Sequence, residues 1–239
     1  MIKEFFAIGE YKNEEIISAL KYYFESKNYN LNKALQIKSP LNIIEQHELR
    51  MSYSNYFVSL MSGIEVLLEP TYKNNKNFKK ELYIAFSFNK ENTGENNYNY
   101  LRELRNSIIH RGYDISSAIN FTDKIPILIA PPIIPNKSGK KEYTSFDHTI
   151  LEVISKIEEV IGRLIINHIK TFDLYKSTYS KEERKEMFLE RIKKVPHMPE
   201  EIKILALNTL KDLDFDKIPE TQFSELEEIL KHNPLRDMH

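Results

Sequence analysis

The chain has 239 residues, 41% of them hydrophobic and 29% charged, with a formal net charge of -1. That length suits one sizeable domain, or one domain with an appendage, able to bury a core. Near-neutral charge removes bulk affinity for nucleic acid as an argument while leaving room for a local basic cleft, and the lack of any cysteine excludes disulfide frameworks and thiolate metal sites, as suits a reducing compartment.

In chain order, the N-terminal "MIKEFFAIGEYKNEE" reads as no signal peptide, because its apolar run is short and soon interrupted by acidic residues. "EEIISALKYYFESKN", Glu14 to Asn28, has apolar residues at helical spacing, with Ile16, Leu20 and Tyr23 or Phe24 on one side. Pro40 breaks the chain, and a long helix is expected from about Glu45 to Leu68, stopped by Pro70. "NFKKELYIAFSF" predicts a shorter helix and the Asn-rich "NKENTGENNYN" a loop. The next helix carries "LRELRNSIIHRGYD", Leu101 to Asp114, with Gly112 placed to end it.

Lys124 to Thr144 is the one segment expected not to be helical. Its β-branched residues, four prolines and Asn-Lys-Ser-Gly turn predict an irregular β-hairpin or extended arm. A long helix follows within "FDHTILEVISKIEEVIGRLIINHIKTFDLY", with Asp147 as its expected cap. Beyond Ser177 three small helices are separated by Pro196, Pro199 and Pro219. The expected fold is all-α: an antiparallel helical bundle with an N-terminal extension over residues 1–176, and a helical C-terminal appendage over 177–239. No stretch approaches the roughly 18 uninterrupted apolar residues of a membrane span, so the expectation is a soluble, cytoplasmic protein.

Several familiar constellations fail. Six unclustered glycines make no phosphate-cradling loop. "HELRM" opens like a zinc-protease motif at His47 and Glu48, but Met51 stands where the second histidine belongs. "DLDFDK" has calcium-loop spacing at Asp212, Asp214 and Asp216, yet Lys217 and Phe223 replace the glycine and glutamate the loop needs. No metal or other cofactor is expected.

Two Arg-His pairs share one spacing: Arg105 with His110, and Arg163 with His168. A helix advances about 100° per residue, so residues four apart nearly overlay. Leu101, Leu104 and Ile108 then face the core, Arg102, Asn106 and His110 form a polar stripe, and Arg105 lies at the edge between them. His110 falls in the last turn, where the helix dipole favours an imidazolium that the nearby arginines oppose. Such competition suits proton transfer near neutrality. The second pair sits inside an uninterrupted helix and reads as a surface arginine and a histidine packed along a bundle.

"LRELRNSIIHRG" resembles the signature of HEPN-domain proteins: an arginine, commonly followed by a polar residue, then a histidine after four to six positions. The resemblance covers Glu45 to Phe172 and implies an α-helical bundle that dimerises, bringing two motifs into a composite cleft. Many HEPN proteins are metal-independent endoribonucleases in toxin–antitoxin, abortive-infection and CRISPR-associated defence, and others are non-catalytic. In some toxins a tyrosine two positions after the histidine is modified by a partner; here Gly112 holds that place and Tyr113 follows. The implied catalytic residues are Arg105, Asn106 and His110. Cleavage through the 2′-hydroxyl needs a base, an acid and positive charge on the phosphorane, and a single histidine on the motif helix makes a homodimer the natural source of the second. Arg102, Arg111 and the turn lysines Lys137, Lys140 and Lys141 are the expected RNA-backbone contacts. An antitoxin or defence-system protein is a further expected partner. The alternatives are a HEPN-like module used for dimerisation or for nucleotide or protein binding, and a helical regulatory protein in which the motif is coincidence.

Overall fold

A computed structural model describes residues 12–236 apart from 89, 91, 118 and 122–125, with the backbone alone at 119–121 and 210–212. The stretch read for a signal peptide thus lies outside the described residues up to position 11, as do the first two residues of the Lys124 to Thr144 segment. Eight helices and two small sheets make up the described chain: α1 (Asn13–Gln36), α2 (Ile43–Leu68), α3 (Asn75–Ala85), α4 (Gly94–Arg111), β1 (Ile119–Phe121), β2 (Pro126–Leu128), β3 (Ile133–Pro135), β4 (Glu142–Thr144), α5 (Ile150–Thr171), α6 (Lys181–Lys194), α7 (Glu200–Asp212) and α8 (Ile218–Lys231). The protein is mostly helical, and no described helix is long and apolar enough to cross a membrane.

The bundle forms because each long helix buries an apolar stripe. On α5 the stripe is Ile150, Val153, Ile154, Ile157, Ile161, Ile165 and Ile169, which follow the i, i+3, i+4, i+7 pattern of one helix face and are at most 1% exposed. Helices α1 and α2 run antiparallel: Ser26 meets Ser59 at 2.9 Å and Lys33 meets Glu48 at 3.8 Å, so positions rise along one as they fall along the other. Where α1, α2 and α5 meet, an ion pair is buried. The Lys27 ammonium lies 2.6 and 2.7 Å from the two Glu158 carboxylate oxygens, the Tyr56 hydroxyl donates to the same carboxylate at 2.7 Å, and both charged side chains are 2% exposed.

Helix ends follow side-chain chemistry, not always at the expected residue. Asn42 caps α2, accepting from the amides of Ile44 and Glu45 at 2.9 Å each, while Glu45 reaches back to the Asn42 amide. Helix α5 is capped by Thr149, whose hydroxyl accepts from the Glu152 amide. The expected cap, Asp147, is instead bonded to Lys156 at 2.7 Å. The expected Asn-rich loop also gives way: α4 starts at Gly94 behind the Thr93 cap. Asn97 is wholly buried and donates to the Phe86 carbonyl at 2.7 Å, and Tyr98 and Tyr100 are buried beside it. Burial here overrides the poor helix propensity of asparagine.

Two hairpins stand where one was expected. β1 pairs antiparallel with β2, and β3 with β4, in the register Ile133 opposite Thr144. The second difference concerns the C-terminal region. Of the three expected helices, α6 buries no residue, but α8 returns to the bundle with Leu226 and Leu230 in its core. The Ile229 carbonyl accepts from the Asn28 amide of α1 at 3.0 Å. On α5, a Cβ at Gly162 would sit 2.0 Å from the Leu230 carbonyl oxygen, so only glycine permits this approach. A boundary at residue 177 therefore does not coincide with a break in packing.

Candidate active site at the end of the fourth helix

Helix α4 presents the faces its spacing implies. Leu101 and Leu104 are fully buried, and Ser107, bonded to the Glu103 carbonyl at 2.7 Å, is nearly so. The helix ends at Gly112, whose φ of 65° lies in the left-handed region that glycine enters at no steric cost. The amides of Gly112 and Tyr113 both return to the Ser107 carbonyl, the latter at 3.0 Å. His110 is left in the last turn, exposed, with no side-chain hydrogen bond to the described residues.

Arg105 is held differently. Its guanidinium is bonded to Glu65 of α2, its side chain is only 16% exposed, and its Nε lacks a hydrogen-bond partner. Burial pushes the Glu65 carboxyl above its ordinary range, and the guanidiniums of Arg105 and Arg102 offset this only in part. Asn106 donates to Glu103 at 3.4 Å and makes no bond to His110. Arg102 lies over the Tyr98 ring, 5.9 Å from its centroid, and 3.6 Å from Glu103.

Glu103 organises this flank. It is 5% exposed and binds Arg111 at 2.8 Å. Arg111 also donates to the Pro135 carbonyl at 2.9 Å, so its guanidinium pins β3 against α4. The other expected RNA contacts, Lys137, Lys140 and Lys141, are exposed on the β3–β4 turn, whose form is set by Asn136 accepting from the amides of Lys140 and Lys141. The structure thus keeps Arg102, Asn106 and His110 on one flank of α4, while Arg111, on the next stripe with Glu103 and Ser107, joins the lysine turn to the helix. Arg105 faces α2.

Helix α2 contributes residues that sequence reasoning examined only as a failed zinc motif. Arg50 reaches Asp114, just past the end of α4, at 3.3 Å, and meets His47 Nδ1 at 2.9 Å. A guanidinium can only donate, so Nδ1 accepts and the ring proton sits on Nε2. Burial opposes ionisation of Asp114, but the hydroxyl and amide of Ser116, with Arg50, hold its carboxyl below the ordinary range. The role of Glu103 had a signal in the sequence, since Glu103, Ser107 and Arg111 fall four apart on one stripe. Glu65, forty residues from Arg105, had none.

The second Arg-His pair separates. Arg163 is exposed and donates to the Glu159 carbonyl at 3.0 Å. His168 is 1% exposed, bonded to the Tyr72 hydroxyl at 2.8 Å and to Glu81 at 2.6 Å, with the rings of Phe78 and Phe172 about it. Among the described residues no group of three or more His, Asp or Glu side chains is placed to hold a metal ion.

Fold and site together describe a mostly helical protein with a basic flank around one exposed histidine. No family model matches the chain, and no curated protein or solved structure does either.

Proposed function

We propose that this protein is a metal-independent endoribonuclease of HEPN type, acting as a homodimer in the cytoplasm as a toxin or phage-defence effector. The observation that carries the reading is His110: an exposed imidazole with no side-chain partner among the described residues, in the final turn of a helix that bears Arg102 on the same flank and Arg111 as the next residue. An imidazole so presented can take the 2′-hydroxyl proton of RNA, while arginine neutralises charge on the non-bridging phosphate oxygens. The 2′-hydroxyl attacks the adjacent phosphorus, the 5′-oxygen leaves with a proton from the second histidine of the dimer, and a 2′,3′-cyclic phosphate remains upstream. The test is cleavage of RNA in EDTA by the parent chain and by His110→Ala. Activity retained in the variant, activity abolished by chelation, or equal cutting of RNA with a 2′-deoxy sugar at the cleavage position refutes the mechanism.

One observation favours a second reading. Arg105 is bonded to Glu65 and mostly buried, which withholds its guanidinium from a phosphate. A HEPN-like module that dimerises and binds a nucleotide or protein without cleavage needs no free Arg105. Binding with no cleavage by the parent chain selects it.

A further inference from the structure

Beside the exposed histidine lies a cavity of about 260 Å³ that none of the motif residues Arg105, Asn106 or His110 lines. Its walls come from two elements that Arg111 ties together. Ser107 and Arg111 belong to α4, Tyr113 to the chain leaving it, and Pro131, Ile133 and Pro135 to the arm on the far side. Because the guanidinium bonds both Glu103 and the Pro135 carbonyl, the gap between helix and arm is set before any ligand arrives, as in most small-ligand sites.

The chemistry of the walls narrows what fits. The prolines bring no N–H, and the carbonyls of Pro131, Pro132 and Pro135 already accept from the Tyr100 hydroxyl, the Ser145 amide and Arg111. Arg111 has five N–H donors and its two protein bonds leave others free. The cavity therefore offers apolar faces, one tyrosine ring and spare donors, and asks for a flat ring with acceptors on its edge. Its volume falls just below the roughly 300 Å³ at which drug-sized pockets begin, enough for a single ring system. Outside the cavity, the arm runs from Pro135 straight into the turn bearing the exposed Lys137, Lys140 and Lys141, which suits a polyanion.

We infer that this cavity is a subsite for one unpaired nucleobase of a single-stranded RNA, stacked on Tyr113 with its edge acceptors on the spare Arg111 N–H groups while the adjoining phosphates run along the lysine turn. Stacking of unpaired bases on tyrosine rings, with hydrogen bonds to the base edges, is a general mode of RNA recognition. The inference rests on the RNA-directed reading of the site and adds where a base is held.

The experiment is amide-resolved NMR titration of the full chain with the four nucleoside 5′-monophosphates and with ribose 5-phosphate. At least one monophosphate should shift the amides of Tyr113, Ile133 and Ile134 and bind about tenfold tighter than ribose 5-phosphate, the gain expected of one stacked base. Ribose 5-phosphate should shift only the lysine turn. Ile133→Trp, at a residue 51% exposed, should fill the cavity and remove the base-dependent gain while leaving the turn's response. Ribose 5-phosphate binding as tightly as every monophosphate, no shift at Tyr113 or Ile133, or unchanged binding by a folded Ile133→Trp chain overturns the inference. The comparison within the parent chain decides even if that variant fails to fold. RNA cleavage without mononucleotide binding would end this inference alone, and mononucleotide binding without cleavage would end only the catalytic reading.

Discussion

Replacing Lys27 by methionine should destabilise the protein far more than removing a charge from its surface. The ammonium is 2% exposed and touches both oxygens of an equally buried carboxylate at 2.6 and 2.7 Å. Burial pulls the Lys27 ammonium below its ordinary pKa, and Glu158 works against that pull. With the ammonium gone, the Tyr56 hydroxyl is the one remaining donor to Glu158 among the described side chains. Breaking a buried pair by removing one partner costs about 3–5 kcal/mol, against the roughly 5–15 kcal/mol that holds a typical domain folded. At 2–4 °C per kcal/mol for a chain of this size, the midpoint should fall by roughly 6–20 °C. The triple change Lys27→Met, Tyr56→Phe and Glu158→Leu removes every member of the cluster together and should recover much of that loss, since apolar replacement of a whole buried pair is often neutral. Circular dichroism melts at one pH and protein concentration make the measurement. A Lys27→Met midpoint within about 2 °C of the parent, or a triple variant no more stable than the single one, would refute the reasoning.

Burial holds the His168 imidazole below its ordinary value of 6.5, with Glu81 pulling the other way. The unfolded chain therefore takes up the proton more readily, and the stability that neutral His168 contributes is present above about pH 6.5 and lost as pH falls below it. Urea unfolding at pH 7.5 and 5.5 should show that loss, and His168→Gln should reduce it; an unchanged pH dependence would remove His168 as its source. Gly162→Ala puts a methyl group into the Leu230 carbonyl and should lower stability by about 1–3 kcal/mol, as overpacking does, read as a fall in the denaturant midpoint. A neutral result would mean α8 is not held against α5. In the cleavage assay Arg163→Ala should match the parent chain, while His110→Ala should lose on the order of 10² or more in rate.

Local rules carried the sequence far along this chain. The isoleucine stripe of α5, Pro196 and Pro199 between α6 and α7, Pro219 in the first turn of α8 and the stop at Gly112 are legible because helical periodicity and forbidden backbone angles act within a few residues. So is the polar stripe of Arg102, Asn106 and His110. Thr149 as the cap of α5, in place of Asp147, was itself legible from the local pattern Thr-x-x-Glu, whereas the helical start of "GENNYN" turns on which neighbours become buried, which local propensity does not record. Tertiary structure alone decided what met across distance. It brought Glu65 to Arg105, Glu158 to Lys27, and His47 and Arg50 to the exit of the motif helix. It also returned α8 to the core through a glycine on α5. Charge pairing and close packing depend on which surfaces the chain brings together in three dimensions, and a linear spacing reports only the neighbours along one helix.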